Sequence, residues 1–435
     1  MLTFLGFAMV IAFMYLIMSK RLTALIALIL VPIIFALFGG FAAQIGPMML
    51  AGITKLAPTG VMLMFAILYF ALMIDSGLFD PAVREILKMV KGDPMRISVG
   101  TAVLALVVSL DGDGATTYMI CVAAMLPLYS RVGMSPRIMA GLIILAGGVM
   151  NMTPWGGPTA RAASALHVDA SDIFVPMIPA MLAGVVAILA IAYFYGKRER
   201  ARLGELHLKG DEVDHSEISV SQFPDARRPK LIWFNGALTF ALMVALIMGL
   251  LPLPVLFMIA FSIAMIINYP NLQDQKDRVS AHAGSVLAVV GLIFAAGIFT
   301  GILSGTGMVD AMSKSLLAVI PDALGPYLAV ITALVSMPFT FFMSNDAFYY
   351  GVLPVLSEAA AHYGISPVEM ARASIVGQPV HLLSPLVPST YLLVALAGIE
   401  FGDHQRFTLK WAILVCLCIL VAALLMGIFP FYSSM

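Results

Sequence analysis

A chain of 435 residues with 61% hydrophobic and 11% charged side chains and a mean hydropathy of +1.01 lies outside the composition range of soluble domains and reads as an integral membrane protein. Its 24 basic and 24 acidic residues cancel, so electrostatics give no ground for a nucleic-acid partner. The three cysteines, Cys121, Cys416 and Cys418, sit in apolar runs, which implies neither a disulfide nor a thiolate metal site.

A span needs about 20 apolar residues. In chain order the first candidates are 2–18, 22–41 and 60–77, followed by 138–159 and 173–195. The segment 2–18 has no basic n-region or small-residue cleavage site, so it reads as a retained span. Residues 231–250, 253–268, 284–305, 368–398 and 408–429 complete the set. Residues 80–95 and 310–320 read as amphipathic arms lying along the membrane. Two shorter apolar pairs, 97–110 with 115–128 and 325–343 with 347–356, have arms of marginal length joined by a polar tip. Both read as re-entrant hairpins. Residues 197–230 carry 8 of the 24 basic residues and 7 acids, the pattern of a flexible, solvated linker.

The chain repeats itself. Residues 133–159 match 364–390 without a gap, with 9 identities in 27 positions, among them Ser135-Pro136 with Ser366-Pro367, Pro154 with Pro385, and Thr159 with Thr390. The division is therefore a first repeat over 1–196, a linker over 197–230 and a second repeat over 231–435. Lys20, Arg21, Arg84, Lys88, Lys91, Arg96, Arg131, Arg137 and the 197–230 loop all fall on the cytoplasmic side if the first hairpin returns to the side it left. That threading puts the N terminus outside and starts the second half from inside. The expected fold is an all-α polytopic membrane protein of two inverted repeats, each with about five transmembrane helices plus one re-entrant hairpin. Breaks in corresponding helices of such halves are where a binding site is built.

The first hairpin tip reads Ser109-Leu110-Asp111-Gly112-Asp113-Gly114, the second Met343-Ser344-Asn345-Asp346-Ala347. Carboxylates at membrane depth are costly and are paired, protonated or bound to a cation. Asn151-Met152-Thr153-Pro154-Trp155-Gly156-Gly157-Pro158-Thr159 and Gln378-Pro379 through Ser384-Pro385 to Pro388-Ser389-Thr390 cannot continue as helix, and each helix restart presents free amides to an anion. Simpler readings stand beside these: kinks in packed spans, solvated tip carboxylates, a packing role for His381, and an Arg161 that snorkels to the outer surface. For Asp75, Asp80 and Asp310, beside the arms, capping or salt bridging is the expectation.

Taken together, the chain resembles the citrate-metal-proton symporter family (CitMHS) of the ion transporter superfamily over essentially its whole length. The resemblance rests on Leu16-Ile17-Met18-Ser19-Lys20-Arg21-Leu22, Ile74-Asp75-Ser76-Gly77-Leu78-Phe79-Asp80, Asp111-Gly112-Asp113-Gly114-Ala115-Thr116-Thr117-Tyr118, Thr153-Pro154-Trp155-Gly156-Gly157-Pro158, Ser344-Asn345-Asp346-Ala347-Phe348-Tyr349 and the second break. It implies proton-driven uptake of citrate complexed with a divalent metal cation by an elevator-like movement, in a homodimer surrounded by lipid in the plasma membrane. No permanent cofactor and no enzymatic activity are implied. Sodium carriers of the superfamily have Ser-Asn-Thr tips, whereas Asp346 stands at the Thr position here, and carboxylates suit a divalent cation or a proton. On this reading Asp111, Asp113 and Asp346 hold the metal, with Asp113 and Asp346 coupling protons. Thr116, Thr117, Ser344 and Asn345 contact citrate or shape the tips, while Asn151, Thr153, Gly156, Gly157, Ser384, Ser389 and Thr390 line the breaks. His381 and Arg161 are further candidates for citrate contact. A free di- or tricarboxylate carrier or a cation–proton antiporter is the alternative on the same architecture. An intramembrane aspartyl protease fits poorly, since Leu110 stands where its motif needs glycine.

Overall fold

The computed structural model describes residues 1–90, 92–112, 114–204, 223–318, 321 and 323–433. Among the described residues there is helix and no strand. The first half runs α1 (Leu2–Met18), α2 (Ala24–Phe38), α3 (Ile45–Asp75), α4 (Asp80–Val90), α5 (Pro94–Val108), α6 (Gly114–Val132), α7 (Pro136–Met150), α8 (Gly157–Leu166) and α9 (Ala170–Leu203). The second runs α10 (Ile232–Ile247), α11 (Leu253–Asn268), α12 (Leu272–Gly305), α13 (Met308–Leu317), α14 (Leu328–Phe342), α15 (Leu353–Ala361), α16 (Pro367–Ser374), α17 (Gln378–His381), α18 (Pro388–Ala397) and α19 (Phe401–Leu425). Both halves thus follow one order: three helices, an arm, a hairpin, a broken helix and a last long helix.

Among the described residues, six helical stretches are long and apolar enough to cross a membrane, α3, α9, α12 and α19 among them. Trp233 is 91% and Leu425 82% exposed, a cost that a surrounding apolar solvent removes. The molecule is a multi-pass membrane protein.

Helices run past the apolar stretches that reveal them. The spans expected at 60–77 and 284–305 begin instead at Ile45 and Leu272. Pro58 lies inside α3, and it removes one backbone donor without ending the helix. The polar start of α12 is capped by Asn271, whose Oδ1 accepts the Gln273 amide at 2.8 Å, and is braced by Gln273 to Asp277 at 2.9 Å. Hydropathy locates the bilayer rather than the helix end.

Helices α3 and α12 cross closely because small residues line the contact. A Cβ on Gly52 would sit 1.9 Å from the Gly297 carbonyl oxygen, and one on Gly301 would sit 2.5 Å from that of Met48. Around this crossing α1, α2, α10 and α11 form one packing group. The hairpins α5–α6 and α14–α15, the broken helices and α9 with α19 form the other.

Of the 197–230 connection, residues 197–204 and 223–230 are described. Helix α9 continues to Leu203, residues 205–222 lie outside the described residues, and residues 223–228 are tied to the first packing group. The Tyr269 hydroxyl donates to Ala226 O at 2.7 Å, the Arg228 amide to Ser76 O at 3.0 Å, and Arg227 pairs with the buried Asp80 at the start of α4.

Candidate functional site

Helix α5 ends in a 3-10 turn over Ser109–Asp111. Gly112 then reverses the chain at φ +78°, where a Cβ would come 3.0 Å from Trp155 Cδ1; the left-handed backbone and the close ring both require glycine. Asp113 and the side chain of Asp111 lie outside the described residues. The tip is pinned by Trp155, whose Nε1 donates to Leu110 O at 2.9 Å.

In the second half the same work falls to Ser384, whose Oγ donates to Phe341 O at 2.7 Å. Phe341 stands 231 positions after Leu110, the offset of the repeat. Each break is also tied internally by matching threonines: Thr159 Oγ1 donates to Met152 O at 3.0 Å and Thr390 Oγ1 to Leu382 O. The His381 Nδ1 faces Thr340 O at 2.7 Å; a carbonyl only accepts, so this nitrogen carries the proton.

The two breaks cross at Gly148 and Pro379, also 231 apart, where a Cβ on the glycine would lie 2.5 Å from the proline Cα. On either side stand Asn151 Nδ2 to Gln378 Oε1, at 3.4 Å, and Gly147 against Leu382. Exchanging the halves turns one of these contacts into the other, the signature of a self-complementary, two-fold contact.

One cavity opens at this crossing and a second lies at the other tip, each bordered by the second break. One, of about 150 Å³, is lined by Ser109, Gly112 and Gly114 of the first tip, Thr117 of α6, Asn151 of α7 and Ser389 of the second break. The other, of about 400 Å³, is lined by Ser344 of the second tip, Lys20 after α1, and Pro385, Pro388 and Tyr391. Ser109 Oγ, Thr117 Oγ1, Thr153 Oγ1 and Asn345 Oδ1 are buried without a hydrogen-bond partner among the described residues. Such groups forfeit about 1–3 kcal/mol each and are reasons to look for a ligand.

At the second tip, Ser344 Oγ accepts the Ala347 amide at 3.1 Å, and a π-helical turn over Ala347–Val352 follows, a device common at functional sites. Arg161 Nε donates to Asp346 Oδ1 at 2.6 Å. Arg161 therefore does not snorkel to the surface: its side chain is 22% exposed and turned onto the opposite half. Gly157 makes the room, since a Cβ there would fall 2.8 Å from Arg161 Nη1.

Of the residues singled out from sequence, Thr117, Asn151 and Ser389 share the smaller cavity, and Ser344 borders the larger. Thr116 lies on the first turn of α6, half-buried. Gly156 closes the first break, its hydrogen atom standing where a Cβ would meet the Asn151 carbonyl at 2.0 Å. Ser384, Thr390 and His381 spend their hydrogen bonds on backbone carbonyls and shape the site. Asp75 pairs with Arg278 at 3.1 Å and His282 at 2.8 Å, and Asp80 with Arg227, as expected beside an arm; Asp310 is exposed. Among the described residues no cluster of three His, Cys, Asp or Glu side chains is poised for a metal.

Sequence reasoning overlooked Gln378. It is fully buried, accepts from Asn151 and donates through Nε2 to the Tyr349 hydroxyl at 3.0 Å. The available signal was an amide side chain opening a proline-rich break within an apolar span.

Residues 7–377 match the model of the citrate transporter family, CitMHS. A Bacillus subtilis (strain 168) protein named citrate transporter is 62% identical over 431 residues, covering 99% of this chain and all of the relative. A second protein of that strain, named Mg(2+)/citrate complex secondary transporter, is 55% identical over 428 residues, covering 98% and 99%. Among solved structures, Neisseria gonorrhoeae MtrF, from a class of antimetabolite efflux pumps, superposes with a TM-score of 0.62 at 14% identity, covering 89% of this chain and 84% of MtrF. That likeness concerns the fold.

Proposed function

The chain belongs to the CitMHS citrate transporter family, and from that premise we propose that it is a secondary active transporter carrying citrate complexed with a divalent cation, in symport with protons. A trivalent anion joined to a divalent cation leaves one net negative charge, a far cheaper guest at membrane depth than free citrate. The observation that carries the reading is the pair of buried hydroxyls of Ser109 and Thr117, without a partner among the described residues, lining the smaller cavity where the first tip meets Asn151 and Ser389. The larger cavity, at about 400 Å³, is within the ~300–1,000 Å³ of small-molecule sites, whereas the smaller suits an ion and its waters.

Asp111, Asp113 and Asp346 are the proposed oxygen ligands of the travelling cation, with Asp113 and Asp346 coupling protons. Thr116, Thr117, Ser344, Asn345, Asn151, Thr153 and Ser389 hydrogen-bond citrate or its waters, and Gly156 and Gly157 open the break to it. The two halves form inverted repeats with the N terminus outside and residues 197–230 in the cytoplasm. The exchange of contacts about Gly148 and Pro379 supports that relation. The group of hairpins and broken helices moves as one unit against the other group, which dimerises.

Uptake of labelled citrate into proteoliposomes under an imposed pH gradient tests the reading. Uptake should require both a divalent cation and the gradient. Equal uptake of metal-free citrate ends the complex as substrate, indifference to the gradient ends proton coupling, and sodium dependence without a metal requirement selects the free carboxylate carrier.

A further inference from the structure

The ion pair between Arg161 and Asp346 joins the two halves of the chain at the second tip, two residues from Ser344 on the wall of the larger cavity. Arg161 comes from the first turns of α8, Asp346 from the second hairpin tip, and the pair is sealed neither from ligand nor from solvent, at 22% and 16% side-chain exposure. The ionisable groups around it are Tyr349, Tyr350 and His381. Each has its own partner: Tyr350 with Ser164 at 3.1 Å, Tyr349 with Gln378 and His381 with Thr340. Among the described residues, Arg161 and Asp346 have only each other as ionic partners.

The pair copies the cargo in miniature. A carboxylate oxygen lies on the guanidinium, as a citrate carboxylate would, and a positive group lies on Asp346, as a metal ion would. Resting on the metal–citrate reading above, we propose that this ion pair is an internal stand-in for the complex. On binding, the cation takes Asp346 and a citrate carboxylate takes Arg161, so that neither half of the cargo displaces the pair without the other.

The reason is charge balance. A metal ion alone on Asp346 strands a half-buried guanidinium, and citrate alone on Arg161 strands a carboxylate beside an anion; either leaves an unpaired charge in a poorly hydrated site. Only the complex replaces both partners at once. The arginine fork suits a planar carboxylate, and the bare backbone at Gly157 gives it space against α8. The selectivity for the complex over its parts is then set by two residues 185 positions apart.

Calorimetric titration of the purified full-length protein with citrate, Mg2+ and both together tests this. In the wild type, Mg2+ should tighten citrate binding on the order of 100-fold. Asp346→Asn frees Arg161, so metal-free citrate should bind at least ~10-fold tighter than to the wild type, and the enhancement by Mg2+, then held by Asp111 and Asp113 alone, should shrink at least ~10-fold. Arg161→Gln frees Asp346, so Mg2+ alone should bind measurably. If either single-charge variant fails to fold, Arg161→Gln/Asp346→Asn removes both charges and should show the same loss of magnesium enhancement. Full magnesium enhancement in Asp346→Asn, or in the double variant, overturns the inference while leaving metal–citrate transport intact. Absence of enhancement in the wild type overturns the transport reading instead.

Discussion

A buried hydroxyl without a partner costs stability, which makes Thr117 and Thr153 unusual test positions. Replacing either by valine removes a polar atom that has no partner, so thermal stability should hold or rise, since the desolvation cost of about 1–3 kcal/mol is relieved. Affinity for the metal–citrate complex should nevertheless fall about tenfold, one hydrogen bond's worth. Thr390→Val is the opposite case: its hydroxyl is already committed to Leu382 O, so melting should shift down by about 1 kcal/mol or more. If Thr117→Val and Thr153→Val melt like Thr390→Val and bind like wild type, those hydroxyls are structural. The sequence made Thr117 visible beside a glycine-rich tip and Thr153 in a glycine- and proline-rich break. It did not distinguish the committed hydroxyl from the open one, because that depends on which carbonyl the folded break brings near. Arg161 was misjudged for a related reason: its partner comes from the other half, and no local spacing announces it.

Among the elements, the short broken helices are held by backbone proximity rather than by side-chain volume. Gly148→Val should abolish folding of the membrane-inserted protein, because a Cβ would meet the Pro379 Cα at 2.5 Å and a proline backbone has little freedom to retreat. Gly147→Ala, whose Cβ would meet the end of Leu382 at 3.4 Å and the Tyr118 hydroxyl at 3.9 Å, ordinary contacts both, should express and fold, and the contrast is read by detergent-extracted yield and melting. The arm α4 depends on a different kind of tie. Breaking a fully buried ion pair costs about 3–5 kcal/mol; Arg227 is 31% exposed and Asp80 1%, so Arg227→Gln should cost less than that but more than Asp80→Asn, which neutralises the buried member. Equal melting of the two variants would show that residues 223–228 do not fasten the arm. The amphipathic pattern revealed the arm, and the charge run beside it read as solvent-exposed connection. What the pattern lacked was the aromatic and amide framework of Tyr269, Asn268 and Ser76 that receives the chain's return.

For the molecule as a whole, the sequence repeat disclosed that two similar halves exist, while the meeting of their breaks emerged only from the contacts about Gly148 and Pro379. A different set of contacts, between the two packing groups, defines what must slide if transport moves one group against the other. Trp155 ties the first tip through Leu110 O yet lies 4.9 Å from the Phe70 ring of α3 and 5.4 Å from that of Phe257 of α11. Aromatic contacts of this kind contribute about 0.5–1.5 kcal/mol each, enough to favour a resting position and too little to prevent leaving it. On the other flank, a Cβ on Gly351 would lie 3.1 Å from Val10 Cγ1, so the turn after the second tip sits directly on α1, at a spacing that suits a disulfide. With Cys418 replaced by serine and the buried Cys121 and Cys416 retained, Val10→Cys/Gly351→Cys should cross-link on oxidation. The oxidised protein should still bind metal–citrate and should cease net uptake, with uptake returning on reduction. A cross-linked protein that keeps transporting would mean that α1 and the second hairpin travel together, and the moving boundary would then have to lie along Trp155 alone.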